Sequence, residues 1–244
     1  GTYKGDTICF SPGSQLDMES YSQLNACRGG KIIDSNAAIT WNPNAFMRIC
    51  EFSEIVFSLN NNVVNNGGHI EVETNGKFKV CDNSTVTFDG AGTYLKLNPN
   101  SIVQLGENAK IEFKNGAYLI ANGSVISSLN PSTPGKGLVF ENAGEQTSIT
   151  WCTFTNLKKP VYIENTTPEY AGKTKVISNN IFNNTGIFEN YVIHTVNANN
   201  ITISYNQILM KPLNGIGLLM YYSLINEEEE SSSESNINIH HNNI

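Results

Sequence analysis

The sequence predicts an all-β chain wound into a three-sided parallel β-helix, and three observations carry that reading. One short phrase is written three times: residues 175–182 read KVISNNIF, 201–208 read ITISYNQI and 237–244 read INIHHNNI. Their shared core is Ile–polar–x–Asn–x–apolar, with a weaker copy, TSITWCTF, at 147–154. Self-similarity at a period of this size marks a stacked solenoid. Second, the central apolar residues of successive runs, Val72, Val80, Val86, Leu95, Val103, Ile111, Leu119 and Val125, lie 6 to 9 residues apart, yet every third step totals 22 to 25. Three strands per coil at a near-constant coil length produce that regularity, and a β-meander has no reason to keep it. Third, Asn75-Gly76, Asp89-Gly90, Asn98-Pro99, Asn115-Gly116 and Asn122-Gly123 punctuate the runs. Gly and Asn tolerate the positive φ that sharp corners need. Asn-Gly also closes two-residue hairpins, so an antiparallel arrangement over 70–125 stays open as the alternative.

Taken in order, residues 1–50 do not repeat and read as an N-terminal cap or lead-in. Within them Ser14 to Cys27 places Leu16, Met18, Tyr21 and Leu24 among polar residues, the pattern of a short amphipathic helix. The β-helix is expected over 51–244, with short coils at 55–130 and longer ones at 131–244. The repeated phrase puts Cys152, Asn180, Asn206 and Asn242 in one column, at steps of 28, 26 and 36. The long step carries an acidic insertion at 226–235, a loop whose adjacent glutamates repel one another and stay solvated. The third copy finishes at Ile244, so the stack is expected to continue into, or dock on, further protein.

Equivalent residues of neighbouring coils lie about 4.8 Å apart, the strand spacing. An inward Asn repeated at that spacing can donate and accept along the stack, which removes the cost of burying an unpaired amide. Asn180, Asn206 and Asn242 are therefore expected to form a structural ladder that begins one coil after Cys152. A coil of 23 residues would also set Glu73 beside Lys96 as a cross-strand ion pair.

Composition bounds the rest. Only 39% of residues are hydrophobic and 15% charged, with Asn, Ser, Thr and Gly filling the gap, poor material for helix bundles. The net charge of −7 argues against nucleic-acid binding, which wants a basic stripe. No apolar run approaches the roughly 18 residues of a membrane span. The five cysteines, Cys9, Cys27, Cys50, Cys81 and Cys152, lack metal-ligand spacing. At most two disulfides can form, with Cys9–Cys27 favoured by proximity, while buried free thiols suit Cys81 and Cys152.

The repeated phrase resembles the right-handed parallel β-helix superfold, the pectate-lyase-like group, across 55–244 as architecture and 147–244 as motif. The resemblance implies a secreted or surface protein of bacterial type, either a polysaccharide lyase or hydrolase or a non-catalytic adhesin. The catalytic signatures of the group are not matched. The aspartates are Asp6, Asp17, Asp34, Asp82 and Asp89, so the second half has none, and no arginine follows Arg48. A calcium site of the lyase type needs several oxygen ligands in one place.

Weaker constellations remain. Lys158 (with Lys159), Glu164, Glu189 and His194 lie on successive coils and could share a face, where a Lys or His base beside carboxylates suits lyase or glycosidase work. Tyr162, Tyr191, Tyr205 and Tyr222 offer aromatic faces for sugar rings, though tyrosines also cover core edges with the hydroxyl in water. His69 follows two glycines, in a loop, with no candidate partner. His240-His241 reads as spacing rather than metal ligation. No cofactor is expected beyond loose calcium at Glu227, Glu228, Glu229 and Glu230. The expected function is adhesion, carbohydrate binding or display outside the cell, with a glycan or other surface ligand as partner. Catalysis on an acidic or neutral glycan is the alternative.

Overall fold

Short strands whose side chains alternate inward and outward can bury one face only by stacking on copies of themselves. The chain does this throughout. The computed structural model describes residues 5–35, 37–58, 61–171, 174–183, 191–198, 200–209, 216–221 and 237–243. It is a parallel β-solenoid whose successive coils each supply three strands, and these stack into three long sheets and one separate pair. The first sheet has nine strands, from Thr7–Phe10 to Gln207–Leu209, and the third has nine, from Gln23–Ala26 to Ile237–His240. The second has seven, from Asn61–Val64 to Ile216–Tyr221, and the earlier pair Gln15–Met18 and Ala38–Trp41 stands apart from it. Every strand pairing among the described residues is parallel, so the Asn-Gly pairs there turn corners and close no hairpins. Asn75, Asn115 and Gly123 have φ of 59°, 50° and 65° there.

The register corrects two expectations. Leu97 lies opposite Val72 and Leu95 opposite Ile70, so that coil is 25 residues long rather than 23. The error is invisible to the apolar pattern because a two-residue shift leaves the side-chain phase unchanged. Lys96 consequently meets Glu71, at 3.2 Å. Glu73 instead accepts from Arg48 Nε at 2.8 Å and from Asn98 Nδ2 at 3.2 Å. Val125 proves to be an outward residue, 38% exposed, and its neighbour Ile126 is the one buried opposite Val103.

The described residues up to 50, non-repeating as sequence, are built from coils all the same. No helix forms over 14–27; Leu16 and Met18 sit two apart in Gln15–Met18, the spacing of a strand, and pair with Ile39 and Trp41. The disulfide joins Cys27 to Cys50, 23 residues apart, and Cys9, Cys81 and Cys152 are free. Both bonded cysteines open the same four-residue corner in consecutive coils, with Cα atoms 4.8 Å apart. In a solenoid the nearest neighbour is one coil away, not the nearest along the chain. Cys9 faces out from the first sheet opposite Ile33.

Aligned strands place identical residue types on top of one another. Inside, Phe88, Phe113 and Phe140 stack at centroid distances of 5.2 and 4.9 Å, and Phe154 stacks on Phe182 at 4.7 Å. On the outer side of the third sheet Phe46, His69, Tyr94 and Tyr118 form a second file, at 4.9, 4.4 and 5.1 Å. His69 thus begins a strand, His69–Val72, and is sandwiched between two rings. Burial in that file lowers its pKa.

The corner joining the third sheet to the first shortens along the chain. Early coils spend four residues on it, such as 98–101, and later ones two, such as 123–124. The last corner residue changes along the stack: Gly30, Ser53, Gly76, Ser101, Ser124, Cys152, Asn180, Asn206 and Asn242. Ser101 Oγ donates to Ser124 Oγ at 3.1 Å. From Cys152 onward the amides take over. Asn180 Oδ1 accepts the Cys152 N–H at 2.8 Å, and Asn206 Nδ2 donates to Ile177 O at 2.9 Å and Asn242 Oδ1 at 3.0 Å.

Candidate functional site

The strand Val161–Glu164 buries Val161 and Ile163 and turns Tyr162 and Glu164 outward on the second sheet. In the next coil Tyr191–Val196 buries Val192 and Ile193 and turns out Tyr191 and His194. Parallel register sets His194 opposite Tyr162, and Glu141 opposite Glu164. Four sequence-predicted residues, Tyr162, Glu164, Tyr191 and His194, therefore meet on one face.

Their contacts are specific. Tyr162 Oη donates to Glu164 Oε2 at 2.8 Å. The His194 ring lies edge-on to Tyr162 and tilted against Tyr191, both with centroids 5.0 Å away. Lys159 Nζ sits 4.6 Å from the Tyr162 ring centroid, a cation–π contact. Burial and then the Glu164 carboxylate push the Tyr162 hydroxyl up to about 12. Burial, helped by the Lys159 charge, lowers the His194 pKa against the opposing pull of Glu164. At neutral pH the face therefore holds a neutral imidazole and a protonated phenol.

Towards the earlier coils the same face carries a chain of ions. Lys114 Nζ bridges Glu112 and Glu141, each at 3.2 Å. Glu112 also binds Lys110 and accepts from Thr87 Oγ1 at 3.2 Å. Burial alone would raise the Glu112 pKa, but Lys110 and Lys114 hold it below the usual carboxylate range. Each of the three carboxylates Glu112, Glu141 and Glu164 is thus engaged by a neighbouring side chain.

Other candidates fall elsewhere. Lys158 turns away from the cluster and donates to Asn108 Oδ1 at 2.6 Å; of the lysine pair it is Lys159 that reaches Tyr162. Tyr205 lies at the corner between the third and first sheets, stacked on His241 at 4.8 Å. Glu189, Tyr222 and Glu227, Glu228, Glu229 and Glu230 lie outside the described residues. Among the described residues no group of three His, Cys, Asp or Glu side chains could hold a metal ion, and no helix is long and apolar enough to cross a membrane. Sequence reasoning missed the Lys114 bridge: Glu112 lies two residues away on the same strand, but Glu141 becomes a neighbour only through the 27-residue register. It also missed Trp151, although Trp151 occupies the same place in its phrase as Tyr205.

Chemically, the face offers ring surfaces, a cation and hydrogen-bonding carboxylates at coil spacing, an arrangement suited to a polyhydroxylated ligand lying along the stack. Compared with family models, curated proteins and solved structures, the chain finds no match, and its architecture, the parallel β-helix, stands on its own strand pairing.

Proposed function

We propose that this chain is an extracellular or cell-surface β-helix protein that binds glycan along the outer face of its second sheet and does not turn it over. The observation that carries this reading is the cluster of Tyr162, Tyr191 and His194, flanked by Lys159 and Glu164. Aromatic rings pack against the C–H faces of sugars while the flanking groups bond hydroxyls. Glu112 has both oxygens engaged, Oε1 by Lys110 and Oε2 by Lys114 and Thr87, which favours holding over catalysis at that residue. The Cys27–Cys50 bond supports an oxidising compartment.

Binding is tested on the full chain by affinity electrophoresis through neutral and uronic-acid polysaccharides. The expected result is retardation that is lost in Tyr162→Ala, with no unsaturated product or new reducing ends. The second reading, a lyase or hydrolase, draws on the neutral imidazole of His194 beside the Tyr162 ring. Turnover abolished by His194→Ala would establish it and overturn the first.

A further inference from the structure

The corner joining the third sheet to the first does not border the second sheet, and its outermost residues run against conformational preference. Among the described residues seventeen non-glycine residues have positive φ, and eleven of them are Asn. Asn is the type whose short amide tolerates the left-handed region, whereas a bulky side chain there is an outlier. The six exceptions are Tyr21, Arg28, Phe52, Trp151, Tyr205 and His241, and five of these fall at this one corner. Three of the five carry phenyl, indole or phenol rings open to solvent: Phe52 is 69% exposed, Trp151 66% and Tyr205 53%.

The turn of the backbone does not need these rings. Asn179 fills the same position between Trp151 and Tyr205, with φ of 57° against 57° and 54°. Its N–H bonds Ser204 O at 3.0 Å, as Trp151 N bonds Ser178 O and Tyr205 N bonds His240 O at 3.2 Å. The corner is made by the backbone whichever side chain it carries, so Asn would serve at all three places. A strained backbone that displays an apolar ring to water incurs two costs, and outliers of that kind cluster where a protein meets a ligand.

We infer that Trp151, Asn179, Tyr205 and His241 form a binding edge for an extended, uncharged glycan. The proposal rests on the glycan-binding reading above but lies on a separate surface. Trp151 and Tyr205 are two coils apart, about 9.6 Å at the strand spacing, close to the length of a disaccharide unit in an extended chain. The Asn179 amide between them can bond a hydroxyl, and His241 backs Tyr205 with its ring parallel to within 6°. The adjoining outward residues Thr153, Ile181 and Gln207 carry no charge, which suits a neutral chain.

The chain has two tryptophans, and Trp41 is 1% exposed, so changes in collisional quenching report on Trp151. The experiment is acrylamide quenching of the full chain with neutral β-linked oligosaccharides, and oligouronates as comparison. The expected result is protection of Trp151 by the neutral oligosaccharides alone. Trp151→Asn and Tyr205→Asn should weaken their binding by at least about tenfold, 1.4 kcal/mol, with the melting temperature unchanged or raised. Binding that Tyr162→Ala abolishes and Trp151→Asn leaves intact would overturn the edge and keep the second-sheet site. Absence of any glycan binding would overturn both. Equal protection by oligouronates, or a Trp151→Asn variant whose only change is loss of a dimer in sedimentation, would also overturn the edge.

Discussion

Asn206 Oδ1 accepts two hydrogen bonds from Asn180, one from the backbone N–H and one from Nδ2, each at 3.0 Å. One amide oxygen thereby satisfies both the corner of the preceding coil and the side chain stacked above it. Because both residues are 1% exposed, water cannot replace either bond. Asn206→Ala should therefore destabilise the fold by about 3 kcal/mol, since each orphaned buried group costs about 1–3 kcal/mol. Urea denaturation checks the value. Asn242→Ala, at a less buried rung, should cost less.

The Phe88–Phe113–Phe140 stack makes Phe113 the only one of the three with a ring on each side. Phe113→Ala should cost about 3–5 kcal/mol, the range for a large aromatic lost from a core. Phe113→Leu should cost less because it keeps most of the volume. Thermal and chemical denaturation of both variants measures the difference.

The ion chain gives the fold a dependence on acid. Glu112 has its folded pKa below its unfolded value, despite burial, because of Lys110 and Lys114. A depressed carboxylate contributes stability that is complete above its unfolded pKa and is lost as pH falls through the folded one. Stability should therefore decline as pH drops below about 4.5, the ordinary value of the group. Glu112→Gln should flatten that decline while lowering stability at pH 7, as read from melting curves across the acid range.

His194 titrates in the other familiar window. Burial, then Lys159, lowers its pKa from the ordinary 6.5, so its neutral form is the folded form. Its contribution is complete above the unfolded value and is lost as pH falls through the folded one. Nuclear magnetic resonance of the ring protons should place its midpoint below 6.5. Lys159→Met should move that midpoint upward.

The covalent link between Cys27 and Cys50 closes a loop of one coil. Cys27→Ser should lower stability by about 2–4 kcal/mol. Denaturation with and without reductant should show the wild-type chain falling to the level of the variant.

Much of this structure was legible because a solenoid writes its packing into a repeat. Asn180, Asn206 and Asn242 can be aligned by eye, since each rung of a buried amide ladder needs the same donor and acceptor as the next and so recurs in the phrase. Register was harder. The apolar alternation that reveals a strand is indifferent to a two-residue slip, so the pattern alone pairs Glu73 with Lys96 where Glu71 is the partner. The early coils were opaque for a related reason: Leu16, Met18, Tyr21 and Leu24 fit a helical face as well as two short strands broken by a corner. At the second-sheet face coil counting groups Glu164 with His194, while Tyr162 joins them only through the register that sets it opposite His194. The separation of Lys158 from Lys159 depends on which way a corner turns, which composition does not encode. Trp151 was missed because its exposure follows from a backbone angle and not from its neighbours.

The Cys27–Cys50 bond has a consequence for how the molecule comes apart. Coils that touch only their neighbours behave as links in a zipper, and such a stack frays one link at a time. Two links riveted together must leave as a pair or stay. On that side of the stack the smallest unit that can peel away is therefore doubled, and a protease or a pulling force meets a cooperative block there instead of a loose thread.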